Sequence, residues 1–319
     1  MSITRRGVIG AAAVAAALSL GLAGCASSSS IGGGSSASST PSTSGSAASG
    51  DAKSLVVGTA NFGENEILGY IYGGALSDKG YTITYKPAIG ARAAYLAALK
   101  SGTINLVPEY AGSLLTYLDG SANQKSGSAV KTALDGKVGT LNATAYDFAP
   151  AADSDSLNVT ASFAKAHGLT SIADLAKAGS VTLAANPEFA TRPDGIKGLE
   201  SLYGLKNLSF KAINDGGGPT TLKALLANQV QVADIYSTTP SIKQNKLVTL
   251  TDPKNLFASQ QVVPIVSTSK ASSDLATIVN GVSAKLTTSV LLDLNTQASG
   301  STKPDYQTIA KGWLSKNGF

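Results

Sequence analysis

A tyrosine and a serine stand where a strand pattern gives way to a helix pattern. An apolar run at 104–107 stops at Pro108-Glu109-Tyr110, which we interpret as a tight turn, and a helical pattern begins at 111–113. In open α/β sheets, strand ends and the helix N-termini that face them line the ligand crevice. Tyr110 is then expected to offer an aromatic face to a ligand, and Ser113 a hydroxyl. The alternative is that Tyr110 is an ordinary core aromatic, since most aromatic residues serve packing.

The residue types used for nucleophilic or metal-dependent catalysis are scarce in this chain. No Cys follows Cys25, the one histidine is His167 in a Lys-Ala-His-Gly stretch at an expected helix end, and neither a Gly-x-Ser-x-Gly motif nor a His-rich metal spacing occurs. Carboxylate pairs for glycoside chemistry stay open, although nothing indicates them. The glycines at 216–218 lack the Lys-Ser/Thr of a phosphate loop and are interpreted as a permissive turn. We therefore predict a binding protein and not an enzyme, with no metal and no cofactor.

Alternating strand and helix patterns surround these residues and indicate an α/β fold. A first block has strand patterns at 55–59, 82–89 and 104–107 and helix patterns at 65–79 and 92–100. Such an order predicts parallel pairing with right-handed crossovers. A second block of the same kind covers about 171–236, and the strands and helices after Pro240 are interpreted as completing the first. The chain then crosses twice between two lobes, lobe I (53–150 plus 255–319) and lobe II (151–254), through a double-crossover hinge.

The sequence also predicts local details of the first block. Asn61 and Glu64 have the spacing of a capping box, with Asn in place of the usual Ser or Thr. A loose helical region is expected at 121–141, followed by a strand at 144–150 that leaves the first lobe.

The first 25 residues have the layout of a bacterial signal peptide. Arg5 and Arg6 precede an apolar stretch free of charge, and Leu22-Ala23-Gly24-Cys25 resembles the lipobox in which the cysteine is acylated. Residues 26–52 are mostly Ser, Gly, Ala and Thr, which predicts a disordered tether. A lipid on Cys25 would anchor the protein to the outer face of the cytoplasmic membrane. The route, Sec or twin-arginine, stays open.

Charge gives little indication of a polyanionic partner. The formal charge of +5 falls by two, to +3, when Arg5 and Arg6 leave with the signal peptide. The lysines are scattered along the chain, so no nucleic-acid partner is expected. We predict a monomer.

Three separated motifs resemble those of the substrate-binding proteins of osmoprotectant ABC importers, over about residues 54–319. They are Gly58-Thr59-Ala60-Asn61-Phe62-Gly63-Glu64, Leu106-Val107-Pro108-Glu109-Tyr110-Ala111-Gly112 and Pro187-Glu188-Phe189-Ala190-Thr191-Arg192-Pro193-Asp194-Gly195. That family takes up glycine betaine, choline, carnitine and related quaternary amines. The resemblance implies a two-lobed, periplasmic-binding-protein-like (type II) fold that captures a small-molecule solute for an ABC permease and its ATPase.

The resemblance also implies roles for single residues. Family members hold a trimethylammonium group in a box of aromatic rings and clamp a carboxylate, when present, with a basic side chain. Tyr110 and Tyr236 match two rings of that box, Ser113 matches a hydroxyl donor, and Arg192 matches the clamp. Two more cleft-facing residues are expected in the first strand-to-helix turn, Asn61 and Phe62. Three other tyrosines fall within helical patterns and are expected to pack: Tyr95, Tyr117 and Tyr203.

Two positions depart from the family pattern, because Asp155 and Gln260 stand where tyrosines are usual. A box reduced to two rings is expected to hold a methylated cation more weakly, by roughly ten- to a thousand-fold. Asp155 favours a cation that also donates hydrogen bonds. We therefore expect a polar cationic or zwitterionic solute, with glycine betaine only one candidate. The alternatives are an amino-acid-like solute and a tethered domain that senses a ligand without transport.

Overall fold

The computed structural model describes residues 53–302 and 304–319. The predicted signal peptide, Cys25 and the tether therefore lie outside the described residues. Among the described helices, no single one has both the length and the apolar composition of a membrane span. Two successive helices meet those criteria only when joined, and they are bent by 83° against each other, Ser273–Lys285 and Thr288–Ser299.

The described part alternates strands and helices. Its strands are β1 Ser54–Gly58, β2 Thr82–Lys86, β3 Leu106–Tyr110, β4 Ala143–Ala145, β5 Leu157–Val159, β6 Val181–Ala185, β7 Leu208–Ala212, β8 Val232–Asp234, β9 Val248–Thr249 and β10 Val262–Ser267. Its α-helices are α1 Gly63–Asp78, α2 Arg92–Lys100, α3 Ala111–Leu118, α4 Gly127–Asp135, α5 Ala161–His167, α6 Ile196–Tyr203, α7 Pro219–Leu226, α8 Ser241–Gln244, α9 Ser273–Lys285, α10 Thr288–Ser299 and α11 Tyr306–Lys316. Short 3₁₀ helices lie at Val138–Leu141, Ile172–Ala178, Pro187–Ala190 and Thr268–Lys270.

The strands form two mixed five-stranded sheets. Sheet 1 has the order β2-β1-β3-β10-β4 and sheet 2 the order β7-β6-β8-β5-β9. In each sheet three strands are parallel, and the fourth in order, β10 or β5, is antiparallel to its neighbours. The chain passes between the sheets twice, from β4 to β5 and from β9 to β10. The predicted α/β, two-lobed fold class with a doubled connection is confirmed.

Strand β3 does not end where the sequence analysis placed a turn. Pro108, Glu109 and Tyr110 continue the strand, so the predicted turn is wrong. Pro108 lies opposite Pro264 of β10, and its carbonyl accepts a hydrogen bond of 3.0 Å from the Asn65 side chain. Because proline has no N–H to donate, a strand tolerates it where neighbouring groups satisfy the remaining backbone atoms. Tyr110 consequently stands at the last position of the strand.

Helix α1 is the central packing element of the lobe around sheet 1. Apolar residues bury most of its surface against the sheet and helices α9 to α11. Gly69 lets the helix approach the sheet closely, because a Cβ there would lie 2.4 Å from Thr59 Cγ2. Thr59 has little freedom to move aside, since its Oγ1 accepts a hydrogen bond from the Ala88 amide.

Two other local predictions were wrong in part. The N-cap of α1 is Phe62, without a side-chain cap, so Asn61 and Glu64 do not form a capping box. The helical region at 121–141 is confined to α4 and one 3₁₀ turn, and the strand expected at 144–150 is reduced to β4. Polar residues interrupt the apolar spacing in both stretches, and glycines do so in the first; that spacing carried the predictions.

Replacement of Gly69 by Ala tests the close packing of α1. We expect the variant to lose about 1–3 kcal/mol of free energy of unfolding, because the new methyl group overlaps Thr59. Urea denaturation measures it. The matched control is Gly312→Ala in α11, where a Cβ meets nothing within 4 Å and helix propensity is expected to add about 0.5–1 kcal/mol. Equal stability of the two variants would contradict the packing described here.

Candidate functional site

A cavity of about 60 Å³ lies between the two sheets. All eight residues predicted to bind a ligand line it: Asn61, Phe62, Tyr110, Ser113, Asp155, Arg192, Tyr236 and Gln260. Its other lining residues include Arg92, Tyr95, Asp153, Asn186 and Glu188, which the sequence analysis did not assign to a site. A cavity of this kind fits a small solute and not a peptide or an oligosaccharide.

Several residues that line the cavity lie at or just after the carboxyl ends of strands. Phe62 follows β1, Tyr110 ends β3, Asn186 follows β6 and Tyr236 lies two residues beyond β8. These four strands are parallel within their sheets, so their carboxyl ends meet at one edge of each sheet, which is where open α/β sheets bind ligands. The cavity thus receives side chains from both sheets.

Aromatic rings form a continuous wall of the cavity. The Phe62 ring centroid lies 5.8 Å from that of Tyr110 and 5.4 Å from that of Tyr236, the latter in an edge-to-face arrangement. Tyr95 of α2 also lines the cavity. The predicted box of two rings counted Tyr110 and Tyr236, whereas Phe62 and Tyr95 line the cavity as well; which rings hold a ligand stays a prediction. Tyr95 packs in the apolar core, as expected, and also faces the cavity. Helical spacing could not distinguish a tyrosine at the cavity wall from one in the core.

Hydrogen bonds fix the tyrosine hydroxyls of this wall. The Tyr110 hydroxyl donates to Glu64 Oε1 at 2.7 Å, and the Tyr236 hydroxyl accepts from Asn186 Nδ2 at 2.9 Å. The Tyr95 hydroxyl donates to Glu109 Oε1 at 2.8 Å. Burial raises the pKa of all three phenols well above the usual value, so the rings remain neutral.

Arg92, the first residue of α2, is a site residue that the sequence analysis missed. Its Nε and Nη2 donate to Glu109 Oε1 and Oε2 at 2.9 and 3.2 Å. Glu109 is fully buried and also accepts from the Tyr110 amide at 2.8 Å. One feature of the sequence could have indicated Arg92. It lies where β2 leads into α2, just as Phe62 lies where β1 leads into α1.

Arg192 already forms ion pairs with two carboxylates of the protein. Its Nη2 lies 2.5 Å from Asp155 Oδ2 and its Nε 3.0 Å from Asp194 Oδ1. The guanidinium also lies 5.2 Å from the Phe189 ring centroid. Burial lowers the pKa of Arg192, but Asp155 and Asp194 outweigh it and raise that pKa above its usual value. Two residues predicted separately, Arg192 and Asp155, thus form one ion pair.

Gln260 and Ser113 also pair with each other. Gln260 Oε1 accepts from the Ser113 amide at 3.0 Å, and Gln260 Nε2 donates to Ser113 Oγ at 2.9 Å. The glutamine that stands at a usual tyrosine position therefore holds the start of α3 in place. Asn61 is the most exposed of the eight lining residues.

A buried carboxyl pair, Glu64 and Asp153, lies behind the aromatic wall. Glu64 Oε2 accepts from Thr238 Oγ1 at 2.6 Å and from Asn295 Nδ2 at 2.7 Å, and Asp153 Oδ1 accepts from the Thr238 amide at 3.0 Å. Burial raises the pKa of both carboxyls, and the Glu64 charge raises that of Asp153 further. These bonds connect α1, the first passage between the sheets, the segment after β8, and α10.

A second acidic pair joins Asp155 to Asp234 at the end of β8. Asp234 is 2% exposed and accepts from the Ser156 amide at 3.2 Å. Burial, followed by the Asp155 charge, raises the pKa of Asp234 well above its usual value. A carboxyl group in this setting holds its proton to a higher pH than a free one does.

The glycines before α7 form a turn, as predicted. Gly216 and Gly217 have φ values of +64° and +72°, which favour glycine. The Asp215 carboxylate accepts from the amides of Gly218, Thr220 and Thr221, so the amides of this helix start already bind an anion from the protein itself. In the described residues there is no group of three or more His, Cys, Asp or Glu side chains arranged to hold a metal ion.

The raised pKa values predict a stability that falls as pH rises. In the folded state Glu64, Asp153 and Asp234 hold their protons to higher pH than in the unfolded chain, where their ordinary pKa values are 3.8 to 4.5. Their stabilising contribution is complete below about pH 4 and is lost as pH rises through the folded pKa values. Asp153→Asn removes one of these carboxyl groups. It is expected to reduce the loss of unfolding free energy with rising pH by about 1.4 kcal/mol for each unit by which the folded pKa of Asp153 exceeds its unfolded pKa.

Urea denaturation between about pH 5 and pH 8 measures this dependence. Asn keeps an oxygen for the Thr238 amide, so the geometry of the pair is retained. The exposed Asp147→Asn is the control and is expected to follow the unmodified protein. A stability that rises with pH over this range would contradict protonated carboxyl pairs in the folded state.

Comparisons with known proteins agree with the family expected from the motifs. The sequence profile of the family described as the substrate binding domain of ABC-type glycine betaine transport system matches residues 53–316. The glycine betaine-binding protein YehZ of Escherichia coli (strain K12) is 27% identical over 285 residues, 84% of this chain and 92% of that protein. A glycine-betaine-binding protein of Pseudomonas aeruginosa is 31% identical over 234 residues, 67% of this chain and 72% of that protein.

The fold agrees as well. The solved structure of a glycine betaine/carnitine/choline ABC transporter protein has a TM-score of 0.66 at 22% identity, and covers 83% of this chain and 98% of that one. The family profile covers most of the chain and matches both sheets. The chain therefore belongs to the family of substrate-binding domains of ABC-type glycine betaine transport systems.

Proposed function

We propose that this protein captures a small cationic or zwitterionic solute of the quaternary-amine class between its two lobes. The observation that carries the proposal is the aromatic wall, in which Phe62 and Tyr110 come from one sheet and Tyr236 from the other. An aromatic ring attracts a desolvated ammonium group through its quadrupole, by about 2 kcal/mol where water is excluded. The family and the relatives named above bind a solute of this class.

The proposed lobes are residues 53–150 plus 255–319 and residues 151–254. With these boundaries, the contact of Phe62 with Tyr236 and the hydrogen bond of Thr238 with Glu64 run between lobes. Such contacts are proposed to favour the closed cleft. A solute that adds its own contacts to both sides has a higher affinity for the closed form, and this difference in affinity drives closure.

The proposed partners are an ABC permease and its ATPase, to which the closed form delivers its solute. The protein is proposed to act as a monomer, without a cofactor and without catalysis. The lipobox at Cys25 and the Ser/Gly/Ala-rich stretch at 26–52 support a lipid-anchored location at the outer face of the cytoplasmic membrane. Family membership favours transport over the alternative of a domain that only senses a ligand.

Truncation of one ring tests solute capture. Tyr236→Ala is expected to weaken the binding of tetramethylammonium and choline by roughly tenfold or more, because a ring worth about 1–2 kcal/mol is lost. Isothermal titration calorimetry of the purified protein measures it. Tyr117→Ala serves as the control, since Tyr117 is 49% exposed and does not line the cavity. Equal affinity of the two variants would place the solute elsewhere.

Substitution of the lipobox cysteine tests the proposed anchor. In cells fed an alkyne-labelled fatty acid, the unmodified chain is expected to carry the label and to sediment with membranes. Cys25→Ser is expected to lose both properties, because Cys25 is the one cysteine in the chain. Detergent-free extraction of the unmodified protein, without label, would refute the lipid anchor.

A further inference from the structure

We propose that Asp155 is a built-in counter-ion for Arg192 and that the solute is therefore a small cation that carries no carboxylate. This inference rests on the proposed function, since it narrows the solute class for the same cavity. It also reassigns Arg192, which the family resemblance implied to be a clamp for a ligand carboxylate.

The ion pair of Arg192 already has the geometry of a filled carboxylate site. Asp155 Oδ2 lies 2.5 Å from Nη2, Asp194 Oδ1 lies 3.0 Å from Nε, and the side chains of both aspartates are less than a tenth exposed. Charge-assisted hydrogen bonds between a guanidinium and a carboxylate are stronger than those between neutral groups. A ligand carboxylate must displace one aspartate or add a third anion to a single guanidinium.

Displacement of Asp155 is costly because of what lies on its other side. Asp155 is next to Asp234, which is almost completely buried and interacts with it directly. Without Arg192, the Asp155 charge would face a second acid in a site largely closed to water. Burial of an unpaired charge is among the most unfavourable changes in a protein interior.

The second arginine of the cavity offers no alternative clamp. Arg92 is held in a two-bond pair by both oxygens of Glu109, which is fully buried. Among the described lining residues these two arginines are the only basic side chains, and the structure gives each a protein carboxylate. No buried polar side-chain atom of the described residues lacks a hydrogen-bond partner. The cavity therefore contains no cation that depends on a ligand for its counter-charge.

The remaining charges of the lining are acidic. The two guanidiniums already meet the protein carboxylates of Glu109, Asp155 and Asp194. Asp153 and Glu188 also line the cavity; Asp153 holds its proton to a higher pH than a free acid, so the acidic excess comes from Glu188 and from the second carboxylate on Arg192. A trimethylammonium group gains from this excess and from the aromatic wall. The same excess of acidic groups repels a carboxylate on the solute. The lining thus selects a solute by its charge as well as by its shape.

Choline and glycine betaine are matched probes, since both carry a trimethylammonium group and differ in a hydroxymethyl or a carboxylate. By isothermal titration calorimetry of the purified protein at pH 7.5, we expect choline to bind at least tenfold more tightly than glycine betaine. Asp155→Asn is expected to reduce the ratio of the two affinities tenfold or reverse it, because Arg192 then gains capacity for a carboxylate. The control Asp147→Asn should leave the ratio unchanged.

The outcomes separate this inference from the proposed function. If glycine betaine binds as tightly as choline or more tightly, the counter-ion role is refuted while solute capture stands. If neither probe nor tetramethylammonium binds, both fail. The comparison in the unmodified protein is decisive even if Asp155→Asn does not fold. An unchanged ratio in a folded Asp155→Asn variant would also overturn the role of Asp155.

Discussion

The charge balance inside the cleft is the constraint on which the rest of this structure depends. Two guanidiniums and a larger number of carboxyl groups are withdrawn from water in one small space, and each charge needs a partner because isolated buried charges are unstable. Arg92 is neutralised by Glu109, and Arg192 by Asp155 and Asp194. The remaining acids pair with one another, and burial raises the pKa of Asp153 and Asp234. Both guanidiniums of the described lining are thereby paired with carboxylates of the protein itself.

The topology brings these groups together. Each sheet is built from parallel strands whose carboxyl ends open on the cleft, with one antiparallel strand contributed by a passage of the chain between the lobes. Hydrogen bonds of the Glu64 cluster then tie α1 and α10 to the segment after β8. The same cluster that supports the aromatic wall therefore also connects the two lobes. The aromatic wall and the connection between the two sheets thus share one set of contacts.

Much of this could be predicted from the sequence, and what could not has physical reasons. Periodicity and family motifs gave the two-lobed fold and eight residues that line one cavity. They could not show that Pro108 continues a strand, because its pairing with Pro264 is a contact 156 positions away in the chain. Arg92 and Tyr95 lie in a helix whose pattern does not reveal which face meets the cleft. The ion pair of Arg192 with Asp155 could not be predicted, because it depends on a distance in space that the sequence does not contain. Considered separately, each of the two residues was predicted to contact the ligand.

The central claim is that side chains of both lobes hold a cation while Asp155 keeps Arg192 neutralised. A crystal structure of the protein with choline tests it most directly. We expect the trimethylammonium group against the rings of Phe62, Tyr110 and Tyr236, with Asp155 still bonded to Arg192. A choline molecule bound outside this cavity, or a ligand oxygen in place of Asp155 on the Arg192 guanidinium, would contradict the account.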